Sequence, residues 1–204
     1  METAAIHYQG SSAPAQSIES TRVVTGVVRL SYAHIWQPQS FNGGTPKYSV
    51  SIIIPKSNRN TIDRIERAIA AAYREGSGKL KGSSRSVPPL SALKTPLRDG
   101  DLERPDDEAY ANAFFLNATS NRAPQIVDLD CREIDDEAEV YSGVYARVSL
   151  NFYAFSVNGN RGIAAGLNNI QKVRDGEPLG NVSAAQDFAG EFSEEADEDV
   201  LIPF

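Results

Sequence analysis

Residues 139–157 read "EVYSGVYARVSLNFYAFSV", and this stretch decides the fold. From Val144 onward, Val144, Ala146, Val148, Leu150, Phe152 and Ala154 alternate with Tyr145, Arg147, Ser149, Asn151, Tyr153 and Phe155. A strict period of two is that of a β-strand with one face on a core. The run is uninterrupted by proline or glycine from Val144 to Val157. It is followed by "NGNRG" (158–162), whose Asn-Gly pair suits a two-residue hairpin turn, and then by "IAAGLNNIQKV" (163–173) as the returning partner.

Further strands appear on moving outward. "TRVVTGVVRLSYAHIW" (21–36) is β-branched and partly alternating, and "KYSVSIIIP" (47–55) alternates until Pro55, with the turn-forming "QPQSFNGGTP" (37–46) between them. Tyr48 shares its parity with Ile52 and Ile54, so it reads equally as core. "NTIDRIERAIAAAYREG" (60–76) repeats Ile62, Ile65, Ile69, Ala72 and Tyr73 at helical spacing, with Asn60 as candidate cap and Gly76 as stop. Residues 76–105 lack a period and predict a long functional loop or mobile arm; "NAFFLNATS" (112–120) supplies a third strand. About five strands with one helix between the second and third predict a mainly β chain folded as a small closed or nearly closed barrel, because no repeated helices separate the strands. The expected organisation is a flexible segment 1–20, a domain 21–180 and a disordered acidic tail 181–204.

The formal charge of −7 is unevenly placed. Residues 187–204 hold seven carboxylates and no Lys or Arg, so the tail accounts for the whole excess. Residues 47–104 carry 12 basic against 6 acidic groups, a surplus of +6 balanced by −6 over residues 105–186. A body with a basic side and a detachable acidic tail behaves differently from a uniformly acidic protein. The start of the chain lacks the basic and apolar runs of a secretory signal, and no apolar stretch is long enough to span a membrane. The single cysteine, Cys131, has no internal disulfide partner and reads as incidental.

Enzyme signatures are absent: there is no phosphate-cradling Gly-Lys-Ser/Thr loop and no nucleophile elbow, and His7 and His34 are the two histidines. A lone histidine near a strand end is an ordinary surface or packed residue. "DLDCREIDDEAE" (128–139) lacks the glycine and ligand spacing of a calcium loop and reads as a solvated hairpin tip. No catalysis, metal or cofactor is expected.

The outward face of the long strand is more informative. Tyrosines beside Arg147 and hydrogen-bonding groups suit a platform for unpaired bases, which needs flat rings to stack on and cations for phosphates. An ordinary amphipathic outer face stands as an equal reading. Tyr32, Trp36, Phe41, Lys47 and Tyr48 near the first two strands favour the platform modestly. Between Arg74 and Arg98 lie six basic residues against Glu75 alone, with glycines and serines between them that would let an arm follow a polyanion.

These segments resemble a known family. "IPKS" (54–57), "LKTPLRDGDLERPDDEAYANAFFLNATSNRAPQIVD" (93–128), "YSGVYARVSLNFYAF" (141–155) and "GNRGIAAGLNNIQKVRDGEPLG" (159–180) are similar to the single-stranded DNA-binding proteins of tailed bacteriophages. The resemblance spans roughly residues 21–180. The closing "DEDVLIPF" (197–204) resembles the acidic tip with which bacterial single-stranded DNA-binding proteins dock on replication and repair enzymes. Together they imply an OB-fold barrel that coats single-stranded DNA during phage replication or recombination, in the cytoplasm of the infected bacterial host, with self-association along DNA compatible. The competing reading is a recombination mediator or adaptor whose tail is primary.

On parity and charge, the residues expected to meet DNA are Arg29, Tyr32, Trp36 and Lys47 on the first two strands and Lys79, Lys81, Arg85, Lys94 and Arg98 on the arm. Arg122, after the third strand, and Tyr145, Arg147, Tyr153 and Phe155 on the long strand complete the set. Asp197, Glu198, Asp199, Ile202, Pro203 and Phe204 are expected to meet a protein partner.

Overall fold

The computed structural model describes residues 20–40, 43–82 and 85–180. The expectations for the N-terminal segment up to residue 19, for Phe41 and for the acidic tail lie outside these residues. In chain order the strands are β1 (Arg22–Val24), β2 (Val28–Gln39), β3 (Lys47–Pro55), β4 (Arg98–Asp99), β5 (Ala113–Ser120), β6 (Gln125–Val127), β7 (Tyr145–Val157) and β8 (Asn160–Arg174). The helices are α1 (Arg59–Glu75), α2 (Ser77–Lys81) and α3 (Gly100–Glu103). No helix among the described residues is long and apolar enough to cross a membrane.

The alternating stretch is the hub. β7 pairs antiparallel with β8 along its whole length, from Tyr145 opposite Arg174 to Val157 opposite Asn160. Asn158 (φ 50°) and Gly159 (φ 80°) join them with positive φ at both positions, as a type I′ turn requires. On its other side β7 pairs with β1 and with the start of β2. β2 pairs with β3, β3 with β5, and β5 with β8 in parallel, so β2-β3-β5-β8-β7 closes on itself. These five strands are the barrel that the sequence predicts, in the order of an OB fold. β1, β4 and β6 are additions of two or three residues, too short to show a period.

Leu30, Ile52, Leu116, Leu150 and Ile170 are fully buried inside, each stabilising by about 1.5–3 kcal/mol. The inward face of β7 is the expected one, Ala146 to Ala154. α1 joins this core through Ile62, Ile65, Ala68, Ile69 and Ala72. Its cap is Asn58, not Asn60: the Asn58 side chain accepts from the Thr61 backbone N–H, while Asn60 is exposed. The shift follows from a turn in which Asn58 N–H bonds Pro55 O, placing the first helical residue just after it. Gly76 ends the helix as expected.

Of the two readings of residues 76–105, the described residues fit a loop held on the barrel rather than a mobile arm. α2 buries Leu80, and Leu90, Leu93 and Leu97 pack on the core. The Tyr73 hydroxyl donates to Pro88 O. β5 and β8 pair directly at only two positions, Ala118 with Ala165 and Thr119 with Gly166. Where they diverge, residues 94–99 wedge between them: Ile163 N–H bonds Lys94 O on one side, and Arg98 and Asp99 pair with Phe115 and Phe114 on the other. Four leucines spaced irregularly along the segment hold it down, so no regular period betrays it. Lys56 Nζ fastens the far end, 2.8 Å from Asp99 and 2.6 Å from Asp101. Of the stretch 128–139 expected as a hairpin tip, the first part is one, closed by Ile134 N–H on Ile126 O with Arg132 paired to Asp130, whereas Glu137–Glu139 form a separate 3-10 turn.

Candidate nucleic-acid interface

Small and polar side chains line the outside of the barrel along one band. Register places Asn151 beside Gly166, Gly166 beside Thr119, Thr119 beside Ser49 and Ser49 beside His34. The neighbouring outward positions are Tyr153, Ala164, Asn117 and Ser51. Three adjoining depressions follow this band. One of about 410 Å³ touches Tyr32, His34 and Ser142; the next, about 330 Å³, touches Tyr32, Ser49, Ser51, Arg104 and Asn117. The last, about 610 Å³, runs between Arg98, Lys94, Thr119 and Ala164. Shared residues make them one groove across β2, β3, β5 and β8.

The groove has a cationic, aromatic wall. Ile53, Tyr110, Ala113 and Phe115 form a second buried cluster outside the barrel, on the outer face of β3 and β5. Tyr110 and Phe115 meet edge to face at 5.0 Å, and the Tyr110 hydroxyl donates to Ser51 Oγ. On this pedestal sit two arginines. The Arg98 guanidinium lies 4.3 Å from the Phe115 ring centre; that of Arg104 lies 4.4 Å from Tyr110, 5.1 Å from Phe115 and 5.1 Å from Tyr32. Arg98 is balanced by Glu103 at 3.1 Å and Arg104 by Asp107 at 3.9 Å.

Tyr32 itself is unusual. Its φ is 44°, in the left-handed region that non-glycine residues avoid, and it sits at an irregularity between the Ser31–Ser51 and His34–Ser49 pairs. The kink turns the ring outward, 55% exposed. Such an outlier costs about 1–3 kcal/mol and persists where the surroundings enforce it.

The sequence-predicted residues divide. Tyr32, Lys94 and Arg98 line the groove, and Tyr153 stands at its β7 border as the register partner of Ala164. Phe155, half-buried, pairs with Gly162 beside the wedge. Lys47 is exposed where β3 begins, Arg122 is exposed beyond β5, and Lys79, Lys81 and Arg85 are exposed at the barrel end around α2.

Four others stand apart from the groove. Trp36 is half-buried on the core, with Nε1 donating to Val140 O. Arg29 donates to Gly143 O and Glu177 O, tying down the residues after β8. Tyr145 is clasped by Arg174, 3.5 Å from its ring centre, and by Arg29 at 5.8 Å. Arg147 donates to Gln171 Oε1. The outward face of β7 is therefore not a single platform: Tyr145 is eight residues, about 26 Å, from Tyr153 along the strand.

Sequence reasoning missed Arg104, His34, Asn117, Ser49 and Thr119. Arg104 belongs to the basic stretch 47–104 but lies beyond the Arg74–Arg98 window, and its pedestal is built by tertiary contact. The small polar residues carry no signal singly.

A closed five-stranded barrel with a basic, aromatic groove across its outer face defines the class of OB-fold nucleic-acid binders. The chain belongs to the family typified by the ssDNA-binding protein of Enterobacter phage Enc34, whose family model matches residues 21–201. The structure is similar to that of the single-stranded DNA-binding protein from bacteriophage Enc34 in complex with ssDNA, at 23% identity and TM-score 0.67, covering 78% of this chain and 90% of that one. A second structure of the same phage protein matches at 21% identity and TM-score 0.61 over 84% of this chain and 90% of that one. The gp2.5 single-stranded DNA-binding protein encoded by bacteriophage T7 matches at 14% identity and TM-score 0.55, over 78% and 95%. No curated protein matches the chain in sequence.

Proposed function

We propose that the protein binds single-stranded DNA without sequence readout, laying the strand in the groove from Tyr32 and Arg104 across the small-residue floor to Tyr153. The observation that carries this is the groove itself: aromatic rings at both ends, arginines on one wall, and a floor low enough for bases to approach. Stacking uses faces that every base possesses, and the arginines meet phosphate irrespective of sequence. Five strands spaced about 4.8 Å apart make the crossing about 19 Å, room for a few nucleotides. Nothing in this reading requires catalysis, a metal or a cofactor.

The biological role that fits is coating single-stranded DNA during phage replication or recombination, in the cytoplasm of the infected host. The acidic end then recruits partner enzymes, with Ile202, Pro203 and Phe204 filling an apolar pocket while Asp197, Glu198 and Asp199 meet basic residues around it. Gly180 lines the groove beside Tyr32. In this reading the seven carboxylates that follow in sequence compete with DNA as an internal polyanion.

Titration of labelled oligo-dT and of a mixed-sequence oligonucleotide at two salt concentrations tests the reading. Binding should fall steeply with salt, and the two sequences should agree within about 100-fold. Absence of binding at low salt favours the adaptor. Phe204→Ala should abolish partner recruitment and leave DNA affinity nearly unchanged.

A further inference from the structure

Strands carry two glycines among the described residues, both in β8. Gly162 has a reason within the fold: a side-chain carbon there would lie 2.3 Å from the Lys94 carbonyl oxygen, so only glycine lets the wedge pair with β8. Gly166 has no such reason. Its backbone is in an ordinary region, and an added carbon would sit 3.4 Å from Asn151 O and 3.5 Å from Tyr153 Cε1, normal contact distances. The fold would accept a side chain here, and would gain from one, since glycine within a strand sacrifices chain entropy and lateral packing. A strand glycine that nothing in the protein crowds marks a place where a ligand comes close.

Its position gives the ligand. Ala165 and Leu167 on either side point into the core, so Gly166 faces outward, between Thr119 of β5 and Asn151 of β7, with the Tyr153 ring beside it. We infer that Gly166 is the clearance point of the groove: an unpaired base passes over its bare backbone to reach the Tyr153 ring. This rests on the single-stranded DNA reading above. Thr119 on one flank and Asn151 on the other offer hydrogen-bonding groups but no bulk, so the slot admits any base edge.

The test uses the full chain with Gly166→Val and Gly166→Ala, read by anisotropy of labelled oligo-dT and by thermal melting. Gly166→Val should weaken binding more than tenfold with the melting temperature unchanged or raised, and Gly166→Ala should weaken it less. In a Tyr153→Ala background the valine should cost little further. An oligonucleotide of abasic sites should bind wild type and Gly166→Val alike, because no base then needs the space. Wild-type affinity in Gly166→Val, or a lowered melting temperature for Gly166→Ala, overturns the inference while leaving the DNA-binding function standing. If wild type itself does not bind oligo-dT, the function and the inference fall together.

Discussion

Replacing Tyr32 by glycine should weaken DNA binding while leaving stability close to that of the wild type. At φ 44° the tyrosine pays about 1–2 kcal/mol for a left-handed backbone, which glycine does not. Against that gain stand the extra chain entropy of glycine, about 0.5–1 kcal/mol, and the lost contact with Arg104 at 5.1 Å, about 0.5–1 kcal/mol for an exposed cation–ring pair. The ring is 55% exposed, so little apolar burial is forfeited. These effects cancel to within about 1 kcal/mol, and the variant should melt close to wild type. If a base stacks on the ring, affinity for single-stranded DNA should fall by about 1–3 kcal/mol, roughly 5- to 150-fold. Anisotropy of labelled oligo-dT at low and moderate salt, with a thermal melt on the same sample, measures both. Unchanged binding removes Tyr32 from the interface and with it the β2 end of the groove. A melting temperature lowered in step with affinity makes the ring structural instead.

The two tyrosines of β7 should separate: Tyr153→Ala costs about 1–3 kcal/mol of DNA binding, whereas Tyr145→Ala, which frees Arg29 and Arg174, costs about 1–2 kcal/mol of stability and leaves binding alone. Arg104→Ala should weaken binding and flatten the salt slope by about 0.7 if it contacts one phosphate; Arg104→Lys should restore the slope but not the affinity, because a planar guanidinium stacks and an ammonium does not. Hydrogen bonds from Lys56 and then from the Asn112 backbone hold the Asp101 carboxyl below the ordinary value of 3.8, and bonds to Asp101 and then Asp99 raise Lys56 above 10.5. The Asp101 contribution is therefore present above about pH 4 and lost as pH falls through its lowered value, and that of Lys56 is lost only as pH rises beyond 10.5. Urea melts of Lys56→Met against wild type should converge at acid pH, and converge at neutral pH only in high salt. Deleting residues 187–204 should leave the melt unchanged and tighten DNA binding most at low salt; weaker binding at every salt would make the tail part of the domain.

The barrel was legible because its five strands are long enough to show their period. Val144 to Ala154 announced an inward face, and Asn158-Gly159 announced the turn. Three things were not legible. β4 pairs through two residues, and the wedge around it is anchored by scattered leucines, so composition alone made it look like a loose arm. The pedestal of Tyr110 and Phe115 lies outside the barrel, and only folding brings Arg104 onto it. Parity placed Tyr145 and Tyr153 on one face correctly, but it says nothing of the distance along a strand or of Arg29 and Arg174 closing over one of them. Charge counting singled out Lys94, Arg98 and Arg29 alike; only the fold shows that the first two line the groove and that the Arg29 guanidinium bonds backbone carbonyls.

The hub position of β7 also bears on how the chain is made. β1 finds its ladder partner, and the start of β2 the partner for its second edge, in residues 145–151, more than a hundred residues later in the chain. During synthesis at about 5–20 residues per second, those early strands leave the ribosome with one edge open for several seconds or more. The late hairpin of β7 and β8, whose pairing with each other is local, should form within microseconds once its turn emerges. Assembly therefore runs backwards relative to synthesis: the last-made hairpin is the template on which the first-made strands close. Truncation anywhere before Tyr145 leaves β1 without a ladder and the start of β2 with one edge open and prone to pair with other chains, whereas the same cut after Gly180 leaves every barrel strand partnered.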